Sequence, residues 1–145
     1  MRTPGQDEDL VRGFLISEDI IPTLEEIRRI LEQLRGTKWL MAMLMYGAGL
    51  RLMECVRLRT KDVDFGRRQI VVRGGKGNKD RITLLPQDTK HALRQHLDRM
   101  KNQHDQDLRC NAGWVELPRA LHRKYPAASR EFRWQFLFPQ SKLFK

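Results

Sequence analysis

The sequence predicts an α+β fold, mainly helical, with helices packed around a small antiparallel sheet of about three strands. Three observations predict it. Apolar residues recur at helical spacing before about residue 50 and again after about residue 88. Between these stretches stand two β-branched runs, QIVVR at 69–73 and RITLL at 81–85, joined by the glycine-rich cluster GGKGN at 74–78. Hydrophobic residues make up 40% and charged residues 32%, the balance of a folded globular chain. A chain of 145 residues allows one domain or part of one.

Residues 1–19 are polar and irregular and read as a linker or arm; residues 20–145 read as the domain. A helix is expected from Thr23, where Thr23 and Glu26 form a capping box and Pro22 sits just outside it. Leu24, Ile27, Leu31 and Leu34 line its inner face, and Gly36 fits its stop. A second helix over about 38–46 is apolar almost all round, as a central core helix should be. Gly47-Ala48-Gly49 ends it, and a short third helix follows over about 51–59. Residues 62–65 suit a short strand, Gly66 a turn, and Pro86 closes the hairpin that follows. The next helix covers about 88–104, with Leu93, Leu97 and Met100 on one face and Lys90, Arg94, Arg99 and Lys101 elsewhere. From residue 105 the chain is mixed and rich in aromatic residues, among them Trp114, Tyr125, Phe132, Trp134, Phe136 and Phe138.

Lysine and arginine outnumber the acids by 28 to 18, a formal net charge of +10. Such an excess points to a polyanionic partner, through attraction to phosphates and release of their counterions. Charge alone leaves DNA, RNA and acidic membranes open. The longest apolar run, residues 39–50, is far shorter than the roughly 20 residues that span a bilayer, and the amino terminus has no signal-peptide pattern. No membrane partner is therefore expected. Cys55 and Cys110 make no disulfide framework and no CxxC pair, which fits a reducing cytoplasm and two inert thiols.

Two stretches carry candidate chemistry. In Gly47-Ala48-Gly49-Leu50-Arg51-Leu52-Met53-Glu54, the glycines permit a tight turn and place Arg51 in the first turn of a new helix. There its guanidinium and the helix dipole converge on one spot, and Glu54, three residues on, braces it. In Gly74-Gly75-Lys76-Gly77-Asn78-Lys79-Asp80-Arg81, a lysine between glycines can reach into a groove and neutralise a phosphate or deliver a proton. The order of a Walker A loop is absent. Taken singly, each site has a plainer reading: a surface arginine in a helix–helix turn, and a solvated basic turn.

Together, YGAGLRLMECVRLRTKDVDF and IVVRGGKGNKDRITLLP, within residues 44–86, resemble the tyrosine recombinases of the phage-integrase family. That family carries an arginine in a G-x-R-x-x-E setting and then a hairpin lysine in a GKGxK setting. The resemblance assigns catalytic roles to Arg51 and Lys76 and a supporting role to Glu54. It implies DNA contacts from Arg51, Lys76, Lys79 and Arg81. Residues 114–138, WVELPRALHRKYPAASREFRWQFLFP, resemble a helical insertion of the integron integrases, which contacts folded single-stranded recombination sites. The insertion is expected over about 105–138.

The resemblance implies strand exchange through a covalent DNA–tyrosine link, with arginines and a histidine holding the transition-state charge and no metal or cofactor required. The family's His-x-x-Arg helix and nucleophilic tyrosine belong to a second half that this sequence does not reach. His91 with Arg94 and His96 with Arg99 spell His-x-x-Arg, but on the helix directly after the sheet, and read as solvated helix-face residues. Tyr46 reads as core and Tyr125 as structural, so no nucleophile is assigned. The expectation is the first half of an integrase catalytic domain that binds DNA, does not cleave it alone, and self-associates over apolar faces left bare. The alternatives are a catalytically inactive DNA-binding regulator and a basic interaction domain.

Overall fold

The computed structural model describes residues 24–75, 77 and 79–139. The arm expected at residues 1–19 and the capping residue Thr23 lie outside the described residues, as does Lys76.

Helix α1 spans Leu24–Gln33. Its apolar stripe turns inward as the spacing requires: Ile27 is buried, and Leu31 and Leu34 are half-buried. Helix α2 spans Gly36–Ala48, so Gly36, with φ at +59°, opens the second helix as well as breaking the first. Leu40, Leu44 and Ala48 are its buried residues. The helix ends where Gly49 takes the left-handed conformation, φ +61°, and its amide donates to the Met45 carbonyl. A side chain there would be strained. Gly47 has a different role. It lies inside the helix, and a Cβ on it would stand 2.7 Å from Cγ of Pro86. Its missing side chain lets the end of the hairpin pack against α2.

Helix α3 is one short turn and a half, Leu52–Val56, with Cys55 buried beneath it. A 3-10 turn at Thr60–Asp62 leads into β1, Val63–Asp64. The four-residue strand expected at 62–65 is thus reduced to two, because Asp62 belongs to the turn. Strands β2, Gln69–Val72, and β3, Arg81–Leu84, complete an antiparallel sheet in the order β1-β2-β3. The register pairs Ile70 with Thr83 and Val72 with Arg81, and these four share the face turned to the helices. Ile70 and Val72 are fully buried there, while Ile82 and Leu84 on the opposite face are 64% and 58% exposed.

A 3-10 turn, Gln87–Thr89, precedes helix α4, Lys90–Arg109, which runs one turn further than the sequence suggested. Leu93 of α4 joins Leu40, Leu44, Leu50, Cys55, Leu58, Ile70, Val72, Leu85 and Leu137 in one core. The aromatic segment then folds back across the molecule. It comprises α5, Arg119–Lys124, and 3-10 turns at Pro126–Arg130 and Phe132–Trp134.

His96 differs from its sequence reading. It is buried on α4, and its Nε2 donates to the Leu137 carbonyl at 2.7 Å. Two turns on, His104 is also buried and bonds the Arg130 carbonyl at 2.9 Å. Both imidazoles fasten the returning aromatic segment, which helical periodicity on α4 alone does not announce. His91 is exposed, as expected, and shares a hydrogen bond with Gln95 in its own helix.

Candidate functional site

The two stretches singled out in the sequence meet in space. A cavity of about 430 Å³ is lined by Arg51, Met53, Glu54, Arg57, Arg73, Gly74 and Gly75. One wall is the α2–α3 turn and the other is the root of the hairpin.

Arg51 caps α3 with an extended backbone, φ −70° and ψ 155°, and so stands just before the first turn. The helix is too short for its dipole to matter much. What orders Arg51 is Glu54, whose Oε2 accepts the Arg51 amide at 2.9 Å and whose Oε1 lies 3.5 Å from the Arg51 guanidinium. The Glu54 side chain is only 8% exposed, that of Arg51 63%. The carboxylate is therefore structural and the guanidinium is offered to solvent.

Arg81 on β3 reaches the same carboxylate. Its Nη2 donates to Glu54 Oε2 at 2.6 Å and to the Gly49 carbonyl at 3.1 Å. Thr83 adds a hydroxyl hydrogen bond to the Ala48 carbonyl at 2.9 Å. Strand β3 is thereby stitched to the turn that presents Arg51. Burial pushes the Glu54 pKa up, but the Arg51 amide, the Arg81 charge and hydrogen bond, and the Arg51 charge outweigh it and hold it below the ordinary range. Glu54 Oε1 is buried without a hydrogen-bond donor among the described residues. A Cβ on Gly75 would come within 3.3 Å of it, so the glycine lets the hairpin root pass close over the carboxylate.

The hairpin root is held by a second set of contacts. Arg73 Nε donates to Asp62 at 2.8 Å, and its Nη1 lies 3.4 Å from Asp80. Asp80 Oδ1 accepts the Gly74 amide at 2.9 Å, and the Lys79 carbonyl accepts the Gly75 amide at 3.1 Å. Lys76 lies outside the described residues, between Gly75 on the cavity wall and the exposed Gly77. The Lys79 side chain is exposed. Of the four residues expected to touch DNA, Arg51 lines the cavity, and Arg81 is turned inward to Glu54.

Arg57 and Arg73 line the cavity but carried no sequence signal beyond their charge. Arg57 is exposed and makes no ion pair among the described residues. With Arg51 they put three arginines on the cavity lining, Arg73 being held by Asp62 and Asp80, and exposed guanidinium groups suit an oxyanion such as a phosphate. Neither tyrosine lines the cavity: Tyr46 is half-buried on α2 and Tyr125 is 51% exposed after α5. Cys55 is inert in its setting, since burial pushes its thiol up to about 11, whereas Cys110 is exposed. No described helix is long and apolar enough to cross a membrane.

Residues 22–139 match the Phage integrase family. The chain is 41% identical over 121 residues to an integrase/recombinase of Escherichia coli, covering 83% of this chain and 36% of that protein. The same figures hold for an integrase/recombinase of Pseudomonas aeruginosa. It is 44% identical over 79 residues to the tyrosine recombinase XerA of Thermococcus onnurineus, covering 52% of this chain and 28% of that one. The chain thus spans about a third of the length of the curated relatives it matches. With the arginine turn and the glycine hairpin joined in one cavity, and with the match running from α1 through the aromatic segment, the chain belongs to the phage integrase family, the tyrosine recombinases.

Proposed function

We propose that the cavity between the α2–α3 turn and the hairpin root binds a backbone phosphate of DNA at a recombination site, as part of a catalytic domain of the integron-integrase kind. The observation that carries this reading is the convergence of Arg51 and the root of the Lys76 hairpin on one cavity. Arg51 holds the phosphate charge. By the family resemblance, Lys76 protonates the leaving 5′ oxygen, and Lys79 adds a backbone contact. Glu54 and Arg81 keep the arginine turn and the hairpin in register.

In a longer protein, this half supplies charge stabilisation for attack by a tyrosine on the scissile phosphate, and strand exchange follows through the phosphotyrosyl link. The 145 residues by themselves bind without cleaving, because neither Tyr46 nor Tyr125 lines the cavity. The integron assignment rests on residues 114–138, and the favoured substrate is a folded single-stranded hairpin. The exposed Leu52, Met53, Ile82 and Leu84 support self-association.

The test is fluorescence anisotropy with a labelled DNA hairpin bearing extruded bases, across several salt concentrations. The expected result is binding that weakens steeply with salt, and weakens further in Arg51→Ala/Lys76→Ala. No binding at low salt overturns the reading and leaves an interaction module. A covalent protein–DNA band on a denaturing gel overturns the claim that these residues do not cleave.

A further inference from the structure

A second cluster of cations lies beyond the cavity, where the 3-10 turn Thr60–Asp62 meets the aromatic segment. Lys61 rests its ammonium 3.1 Å from the centroid of the Trp134 ring. The ring holds a long, otherwise mobile side chain in place and partly desolvates it. Burial lowers the Lys61 pKa, the positive charge of Arg73 lowers it further, Asp62 opposes this, and Arg59 and Arg133 add to the lowering.

The nearby acid offsets only part of this crowding. Asp62 is 3% exposed, and its two oxygens are taken by the Arg59 amide at 3.1 Å and by Arg73 Nε at 2.8 Å. Arg59 spends its guanidinium on the carbonyls of Trp134 and Glu116. Lys61 and Arg133 make no ion pair among the described residues. Lys61 is fixed on the Trp134 ring, Arg133 precedes Trp134 on the same 3-10 turn, and Arg73, which also lines the cavity, is bonded to Asp62 next to Lys61. Folding gathers like charges here at a cost that a bound anion would remove.

We propose that Lys61 and Arg133 form a second phosphate-binding subsite, continuous through Arg73 with the Arg51 cavity, so that the DNA backbone is tracked from the hairpin onto the aromatic segment. This rests on the reading that the cavity binds DNA phosphate. The Trp134 face is already covered by the lysine, so the subsite takes phosphate and not a stacked base. It contributes affinity and orientation and leaves the sequence of the DNA unread.

The experiment measures the salt dependence of DNA-hairpin binding by the full chain and by Lys61→Ala/Arg133→Ala, Lys61→Arg/Arg133→Lys and Arg51→Ala. Each phosphate contact contributes about 0.9 to the slope of log K against log salt on duplex DNA, and about 0.7 on single strands. The alanine pair is expected to lower the slope by about 1.5 with an unchanged circular-dichroism spectrum, and the charge-preserving pair to restore it. A native slope in the alanine pair, with weakened binding by Arg51→Ala, overturns the subsite and leaves the cavity reading intact. Loss of slope that the charge-preserving pair fails to restore also overturns it, since packing and not charge would then be responsible. Absence of binding by every protein at low salt overturns both.

Discussion

Arg81 Nη2 lies 2.6 Å from Glu54 Oε2, across 27 residues of sequence, and joins the third strand to the turn that presents Arg51. The carboxylate is 8% exposed and the arginine 38%. Arg81 is half in water, so the pair is screened and its net worth is modest. Leaving Glu54 without this donor is costlier than the pair is worth. Arg81→Met is expected to destabilise by about 1–3 kcal/mol, and Glu54→Gln/Arg81→Met by less than the two single changes together. A thermal-melt double-mutant cycle reads the coupling; strictly additive losses would show that the two side chains do not work together.

Glu54 also sets an acid limit. Its folded pKa is held below the ordinary value, so its contribution is fully present above about pH 4.3 and is lost as the pH falls through the folded value. Stability of the native chain should therefore fall more steeply between about pH 4 and pH 3 than that of Glu54→Gln. Parallel pH curves from chemical denaturation would count against a depressed Glu54.

His96 acts at a higher pH. Burial lowers its pKa, the Leu137 carbonyl raises it, and the Arg99 charge lowers it. The net depression means that the unfolded chain takes up a proton before the folded chain does. Stability is intact above the ordinary histidine value of about 6.5 and declines as the pH drops below it towards the folded value. His96→Gln, which keeps an amide donor for Leu137, is expected to flatten this decline. Melting temperatures at pH 7.5 and pH 5.5 decide it, and an equal drop in both proteins would remove His96 from the account.

Arg59 clamps the aromatic segment. It donates to the carbonyls of Trp134 at 2.6 Å and Glu116 at 2.9 Å, and its guanidinium carbon sits 4.5 Å from the centre of the Phe136 ring. A forked, planar donor is needed to serve two carbonyls, so Arg59→Lys is expected to fail almost as fully as Arg59→Ala. The expected cost is about 1–3 kcal/mol, concentrated in faster amide exchange over residues 114–138. Exchange that rises equally throughout the chain would mean that Arg59 supports the whole fold and not this segment.

Gly47→Ala poses two effects of opposite sign. Alanine inside a helix gains about 1 kcal/mol over glycine, but its Cβ would stand 2.7 Å from the stiff ring of Pro86. Overpacking of this kind costs about 1–3 kcal/mol, so a net loss is expected. A raised melting temperature would show that the Pro86 loop moves aside freely.

Much of the architecture was legible because its causes are local. Helical spacing at residues 24–34 and 88–104, the β-branched runs and the glycine cluster between them each express a backbone preference within a few residues. The α+β class and the three-stranded sheet followed from such patterns, and the family resemblance they carry is what singled out Arg51 and Lys76. The inward turn of Arg81, the burial of His96, the Arg59 clamp and the Lys61–Trp134 contact did not. Each depends on a partner at least 27 residues away, brought close only when the sheet packs on the helices, for Arg81, or when the aromatic segment returns across the core, for the other three. A charged residue in sequence shows its charge but not its neighbours; tertiary packing decided which cations brace the fold and which are left exposed to solvent.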